Sequence, residues 1–162
     1  MNIREATVKD ASEILLVMKN VEQSGFMLMS PGERSTNEAD FEKFIEKLIL
    51  HDQSAIFIAE LDDNIAGYLI LRGESASRTK HRAHLVVGVH SDLRKRGIAQ
   101  SLFEYAFPWA KEKGIIKIES SVTVKNEVAY QLIVSTSSYS KVPSPPNHSL
   151  ISGIICGFAF VP

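Results

Sequence analysis

With 162 residues and a mass of 18.0 kDa, the chain is the size of one domain and long enough to bury an ordinary hydrophobic core. Apolar residues at 44% and charged residues at 23% exclude a disordered chain. A net charge of −1 leaves no overall field for nucleic acid or an anionic membrane, and the single cysteine, Cys156, excludes an intrachain disulfide framework.

Arg4, Glu5, Lys9 and Asp10 interrupt the place where a secretory signal would need its apolar core, so a cytoplasmic protein is expected. Residues 3–6 are predicted to form a strand. A helix follows from Asp10, which has capping-box spacing to Glu13, with Ile14, Leu15, Met18 and Val21 on its apolar face. Gly25, Ser30, Pro31 and Gly32 mark a loop whose Phe26, Met27, Leu28 and Met29 read as packing residues. The next helix takes Ser35 as its cap, with Glu38 three residues on and Phe41, Phe44, Ile45, Leu48 and Ile49 as its apolar face.

Residues 55–60 and 65–71 read as strands joined in a hairpin across Leu61-Asp62-Asp63-Asn64. A polar loop over 72–82 leads into the β-branched run 84–90, predicted as a central strand. Residues 101–113 follow as a helix stopped by Gly114, with Pro108 expected to kink it near Glu104. Residues 115–124 form a further strand, and a last helix starts at Asn126. The order describes one mixed α/β domain without internal repeats.

Chemistry concentrates in Val87-Gly88-Val89-His90-Ser91-Asp92-Leu93-Arg94-Lys95-Arg96-Gly97-Ile98-Ala99, where a strand ends, a cationic turn follows and a helix begins. Free N–H groups and the helix dipole make such a junction an anion site, and a diphosphate is its natural guest. Neither the P-loop nor the Rossmann glycine spacing is present. What stands there is R-x-x-G-x-A, with Arg94, Gly97 and Ala99 in the three defining places.

That pattern resembles the pyrophosphate-binding signature of the GNAT superfamily of N-acetyltransferases. Ile3-Arg4-Glu5-Ala6 with Asp10-Ala11, the Ala66-Gly67-Tyr68 step and Asn126-x-x-Ala129-x-x-Leu132 fall in the family's order, so the resemblance covers residues 1–132. It implies a mixed, mostly antiparallel sheet flanked by helices, with a splayed central strand pair. It also implies acetyl-CoA as acetyl donor and a small-molecule or peptide amine as acceptor. The main chain at Val87 and Val89 would then meet the pantetheine arm, and the amides from Arg96 through Gly97, Ile98 and Ala99 to Gln100 would hold the pyrophosphate. Arg94 and Lys95 would flank it and Asn126 would contact the cofactor beyond.

The family's proton-donating tyrosine would stand at Ile133, and its following glycine-phenylalanine pair at Ser137 and Ser138. Tyr130 and Tyr139 are the nearby hydroxyls that would replace it. Glu22 or Glu33 would meet a cationic amine, and Glu119 reads as structural. No metal is expected: His84 and His90 share a strand face about 20 Å apart at ~3.3 Å per residue, too far for one ion. Each reads as a surface or hydrogen-bonded histidine or as a general base, and Cys156 as a small buried residue.

Of the 37 charged side chains, 36 lie in residues 1–132 and only Lys141 in 133–162, which also hold four of the six prolines. Two readings of that segment stand: a variant ending that supplies the last strands, or a reading-frame change after Leu132. Its apolar residues 149–161 are too few to span a membrane as a helix and would suit pairing in a homodimer. The expected activity is acetyl transfer to a primary amine by direct attack. The alternative is a CoA-binding protein with impaired turnover.

Overall fold

The computed structural model describes residues 1–27 and 30–120, together with Asn126 and Gln131. The chain enters as β1 (Asn2–Glu5) and passes through one 3-10 turn, Val8–Asp10, into α1 (Ala11–Glu22). After a loop come α2 (Glu38–Ile49), β2 (Ala55–Leu61), β3 (Asn64–Gly73) and β4 (Arg82–Val89). A second 3-10 turn, Ser91–Leu93, leads to α3 (Ile98–Glu112) and β5 (Lys117–Glu119).

The strands form one sheet in the order β1-β2-β3-β4-β5, antiparallel throughout except for the parallel β4–β5 pair. Parallel neighbours need a crossover, and α3 supplies it. The unbroken apolar runs in β2 and β3 reflect burial on both faces. Ala55, Phe57, Ala59, Leu69, Leu71, Ala83 and Leu85 pack with Leu102, Phe103 and Ala106 of α3. The alternate residues Ile56, Ile58, Tyr68 and Ile70 pack with Ile14 and Met18 of α1 and with Phe41 and Ile45 of α2.

The predicted hairpin forms with a two-residue turn. Asp62 and Asp63 adopt φ of 52° and 61°, the left-handed pair that suits the twist of the flanking strands. Helix entries differ from expectation. Asp10 puts no side-chain hydrogen bond on α1; its Oδ2 accepts from the Thr7 N–H at 2.7 Å, and both its oxygens are held by Arg4. The cap of α2 is Asn37 rather than Ser35, its Oδ1 accepting from the Asp40 N–H at 2.8 Å. Phe44 and Ile49 of the predicted apolar face are exposed, which leaves a narrower stripe of Phe41, Ile45 and Leu48.

Helix α3 begins three residues before the predicted start and runs through Pro108. Pro108 and Glu104 both face solvent, so the Glu104 carbonyl that loses its helix partner is open to water. The predicted strand over 115–124 is observed as the three residues of β5, and 121–125 lie outside the described residues. Gln131 is helical and exposed, consistent with the last predicted helix. The whole of 133–162, with Cys156, lies outside the described residues, as do Leu28 and Met29.

Candidate functional site

Hydrogen bonds at the two ends of β4 fix which way its backbone points. The His90 N–H donates to Ala66 O at 2.9 Å, and the Glu74 N–H donates to Arg82 O at 3.1 Å. Backbone groups alternate along a strand, so even-numbered residues of β4 are spent on β3. Leu85, Val87 and Val89 therefore turn their N–H and C=O groups to the opposite edge. Pairing with β5 on that edge covers only Arg82↔Lys117 to His84↔Glu119. Beyond His84 the edge has no strand partner among the described residues, and the Arg94 Nε reaches Val89 O at 3.4 Å.

This edge runs directly into the start of α3. Lys95 and Gly97 take left-handed φ of 63° and 76°, and such alternation curls successive N–H groups toward one point. Among the described residues no side chain caps α3, and its first turn holds no acid, so these residues leave its N–H groups and dipole uncompensated. Arg94, Lys95, Arg96 and Gly97 are exposed, while Ile98 anchors the turn in the core. A Cβ on Gly97 would meet nothing within 4 Å, so the approach to these amides is open. Asn20 of α1 holds the turn from behind, accepting from the Ser91 N–H at 2.8 Å and donating to Ser91 Oγ at 3.2 Å. The donor set suits a diphosphate with an extended amide-bearing arm.

On the opposite face of β4, Gly88 lies under Tyr68. A Cβ there would sit 2.8 Å from the Tyr68 hydroxyl, so only glycine leaves the ring room. Burial pushes the Tyr68 phenol up to about 12, with Arg34 opposing and Glu22 adding to the shift. Glu22, at the end of α1, is not a surface carboxylate: its side chain is 3% exposed and its Oε1 accepts from the Arg34 Nε at 2.6 Å.

Farther down the same face, Glu119 is buried beside Arg82, Lys117 and His84. Burial raises its carboxyl, but the hydrogen bonds from Lys117 and Arg82 outweigh that and hold it below the ordinary value. His84 Nε2 lies 3.0 Å from Glu74 Oε1, a hydrogen-bonded histidine. A separate cleft of about 520 Å³ opens between α1 and the β2–β3 turn, lined by Glu13, Asp62, His90 and Asp92 and by none of Arg94 to Gln100. Among the described residues no three His, Cys, Asp or Glu side chains group closely enough to hold a metal ion.

The site is thus a strand whose outer edge beyond His84 has no strand partner among the described residues, leading into a cationic helix start. The model of the acetyltransferase (GNAT) family matches residues 20–134. The chain belongs to the GNAT acetyltransferase family.

Acetyl-CoA is the acetyl donor of GNAT enzymes, and acetyl transfer from it is the general chemistry of the fold described above. A GNAT acetyltransferase from Streptococcus pneumoniae is similar in structure, with TM-score 0.88 and 22% identity over 98% of this chain and 99% of that one. A ribosomal-protein-alanine N-acetyltransferase from Brucella melitensis gives TM-score 0.81 and 18% identity, covering 96% and 98%. The yncA protein of Salmonella typhimurium, with its cofactor acetyl-CoA, gives 0.83 and 14%, covering 100% and 95%. At these identities the likeness is one of fold. No curated protein matches the chain in sequence.

The structure thus brings Val87, Val89, Arg94, Lys95, Arg96, Gly97, Ile98, Ala99 and Gln100 together on one continuous strand–turn–helix. Gln100 is partly engaged, its Nε2 donating to Glu104 Oε1 at 2.9 Å. Asn126 is half-buried, while Tyr130 and Tyr139 lie outside the described residues. Sequence reasoning passed over Arg34 and the Tyr68–Gly88 contact. Arg34 sits in an irregular polar loop with no periodic signal. The Tyr68–Gly88 contact depends on cross-strand register.

Proposed function

We propose that this GNAT enzyme is an N-acetyltransferase, moving acetyl from acetyl-CoA to a primary amine by direct attack. One observation carries the reading: the outward backbone edge of Val87 and Val89 continues into the uncapped, cationic start of α3. The α3 amides and Arg94 to Arg96 are suited to hold the pyrophosphate, and the strand edge the amide-bearing arm. Bound there, acetyl-CoA supplies an activated acyl carbon. A backbone N–H on the Val87–Val89 edge would stabilise the oxyanion. The acceptor must lose its proton before attack, directly to a side chain or through water.

An amine or peptide acceptor, a cytoplasmic setting and a homodimer formed through the apolar last segment complete the proposal. Among the described residues no helix is long and apolar enough to cross a membrane. The test is acetyl-CoA-dependent thiol release over a panel of amines, with mass spectrometry locating the acetyl group on nitrogen. Acetylation of oxygen, or release that no amine stimulates, would contradict it.

A second reading rests on Ile133, which stands where the family resemblance calls for a proton-donating tyrosine. On that reading the protein binds CoA but turns over poorly. Ile133→Tyr should then raise the rate of thiol release; a parent rate that is already substantial and unchanged in the variant removes this alternative.

A further inference from the structure

The Glu22–Arg34 pair, with Glu22 buried and Arg34 partly exposed, lies on the face of β4 away from α3, beside Tyr68, whose ring rests on Gly88. Gly88 separates Val87 and Val89, so this cluster borders the strand segment assigned to the reacting thioester. Its polar atoms are incompletely used. The Tyr68 hydroxyl has no hydrogen-bond partner among the described residues although the residue is 1% exposed. The Arg34 Nε is spent on Glu22, and neither Nη nitrogen has a partner among the described residues. The Arg34 side chain is partly exposed, so its Nη groups are open to solvent, with the buried Tyr68 ring beside them.

The charge balance then decides what such a pocket would hold. Glu22 is 3% exposed and already neutralised, whereas Arg34 is 17% exposed and shows its remaining fork of donors. A cationic amine would find no free carboxylate here, and an anion would find a guanidinium pinned in one orientation with a phenol beside it.

We propose that Arg34, fixed by Glu22 and assisted by the Tyr68 hydroxyl, forms a carboxylate subsite of the acceptor pocket. The acceptor is then a free amino acid, with its carboxylate on Arg34 and its amine toward Gly88. This rests on the N-acetyltransferase reading but is tested by binding, without turnover. Saturation-transfer NMR on the full chain compares a mixture of free L-amino acids with the matching carboxamides. At least one free amino acid binds and its carboxamide binds at least tenfold more weakly.

Arg34→Lys keeps a cation for Glu22 but lacks the fork, and should lose the preference for the carboxylate. Tyr68→Phe, which preserves the packing, should weaken the amino acid several-fold. Equal binding of acids and amides, binding by neither, or a preference that survives Arg34→Lys overturns the subsite. Amine acetylation with equal rates on acids and amides overturns it too, while leaving the N-acetyltransferase reading in place.

Discussion

Tyr68 occupies the space in which any residue but glycine at position 88 would carry its Cβ, which would fall 2.7 Å from the ring Cε1. The two residues are direct partners across the β3–β4 ladder. The Tyr68 ring thus rests on the β4 backbone between Val87 and Val89.

Gly88→Ala must displace the ring or the strand. Overpacking of this kind costs roughly 1–3 kcal/mol. Urea denaturation should show a lower midpoint with an unchanged slope, and the acceptor KM should rise more than the affinity for acetyl-CoA falls. An unchanged midpoint would mean that the ring has room the structure does not give it.

The Tyr68 phenol provides a pH signature. Its ionisation is raised from 10.0 to about 12, chiefly by burial. An acid whose folded pKa is raised keeps its proton in the fold while the unfolded chain loses it, so stability is intact below about pH 10. It should fall between about pH 10 and 12, and Tyr68→Phe should flatten that fall. Denaturation midpoints across this range, with the phenolate absorbance as a second readout, check both.

At the acid end the informative pair is Arg4–Asp10. The Arg4 hydrogen bond, working against desolvation and helped by Thr7, holds Asp10 down from 3.8 to about 2. A depressed carboxylate adds stability that is present above its unfolded pKa and lost as pH falls through the folded one. The advantage of the parent over Asp10→Asn should therefore be constant above about pH 5 and shrink toward pH 2. A difference that stays the same down to pH 2 would mean that the Arg4 pair contributes nothing.

Much of this site was legible before any coordinates. The cationic turn, Gly97 and the flanking strand and helix are contiguous in sequence, so local chemistry alone locates them. The Asp62-Asp63 hairpin was readable for the same reason. Helix entries were less so: Ser35 and Asn37 are both good caps, and tertiary packing of Phe41 and Ile45 decides between them. Asp10 has capping spacing to Glu13, yet Arg4, six residues back and across a turn, takes its oxygens. Glu22 meets Arg34 only because an irregular loop folds back over the end of α1. Neither that pairing nor the Tyr68–Gly88 contact leaves a periodic trace, and the acceptor side of the pocket is therefore the part that needed the fold.

The central claim is that the start of α3 holds the diphosphate of acetyl-CoA, and calorimetric titration tests it most directly. The parent should bind acetyl-CoA. Gly97→Ala, which strains the left-handed φ of 76° but adds no charge, should stay within a few-fold of it. Gly97→Glu, with a carboxylate among the amides, should weaken binding at least about tenfold, or about 1.4 kcal/mol. Failure of the parent chain to bind acetyl-CoA, or undiminished binding by Gly97→Glu, would contradict the account.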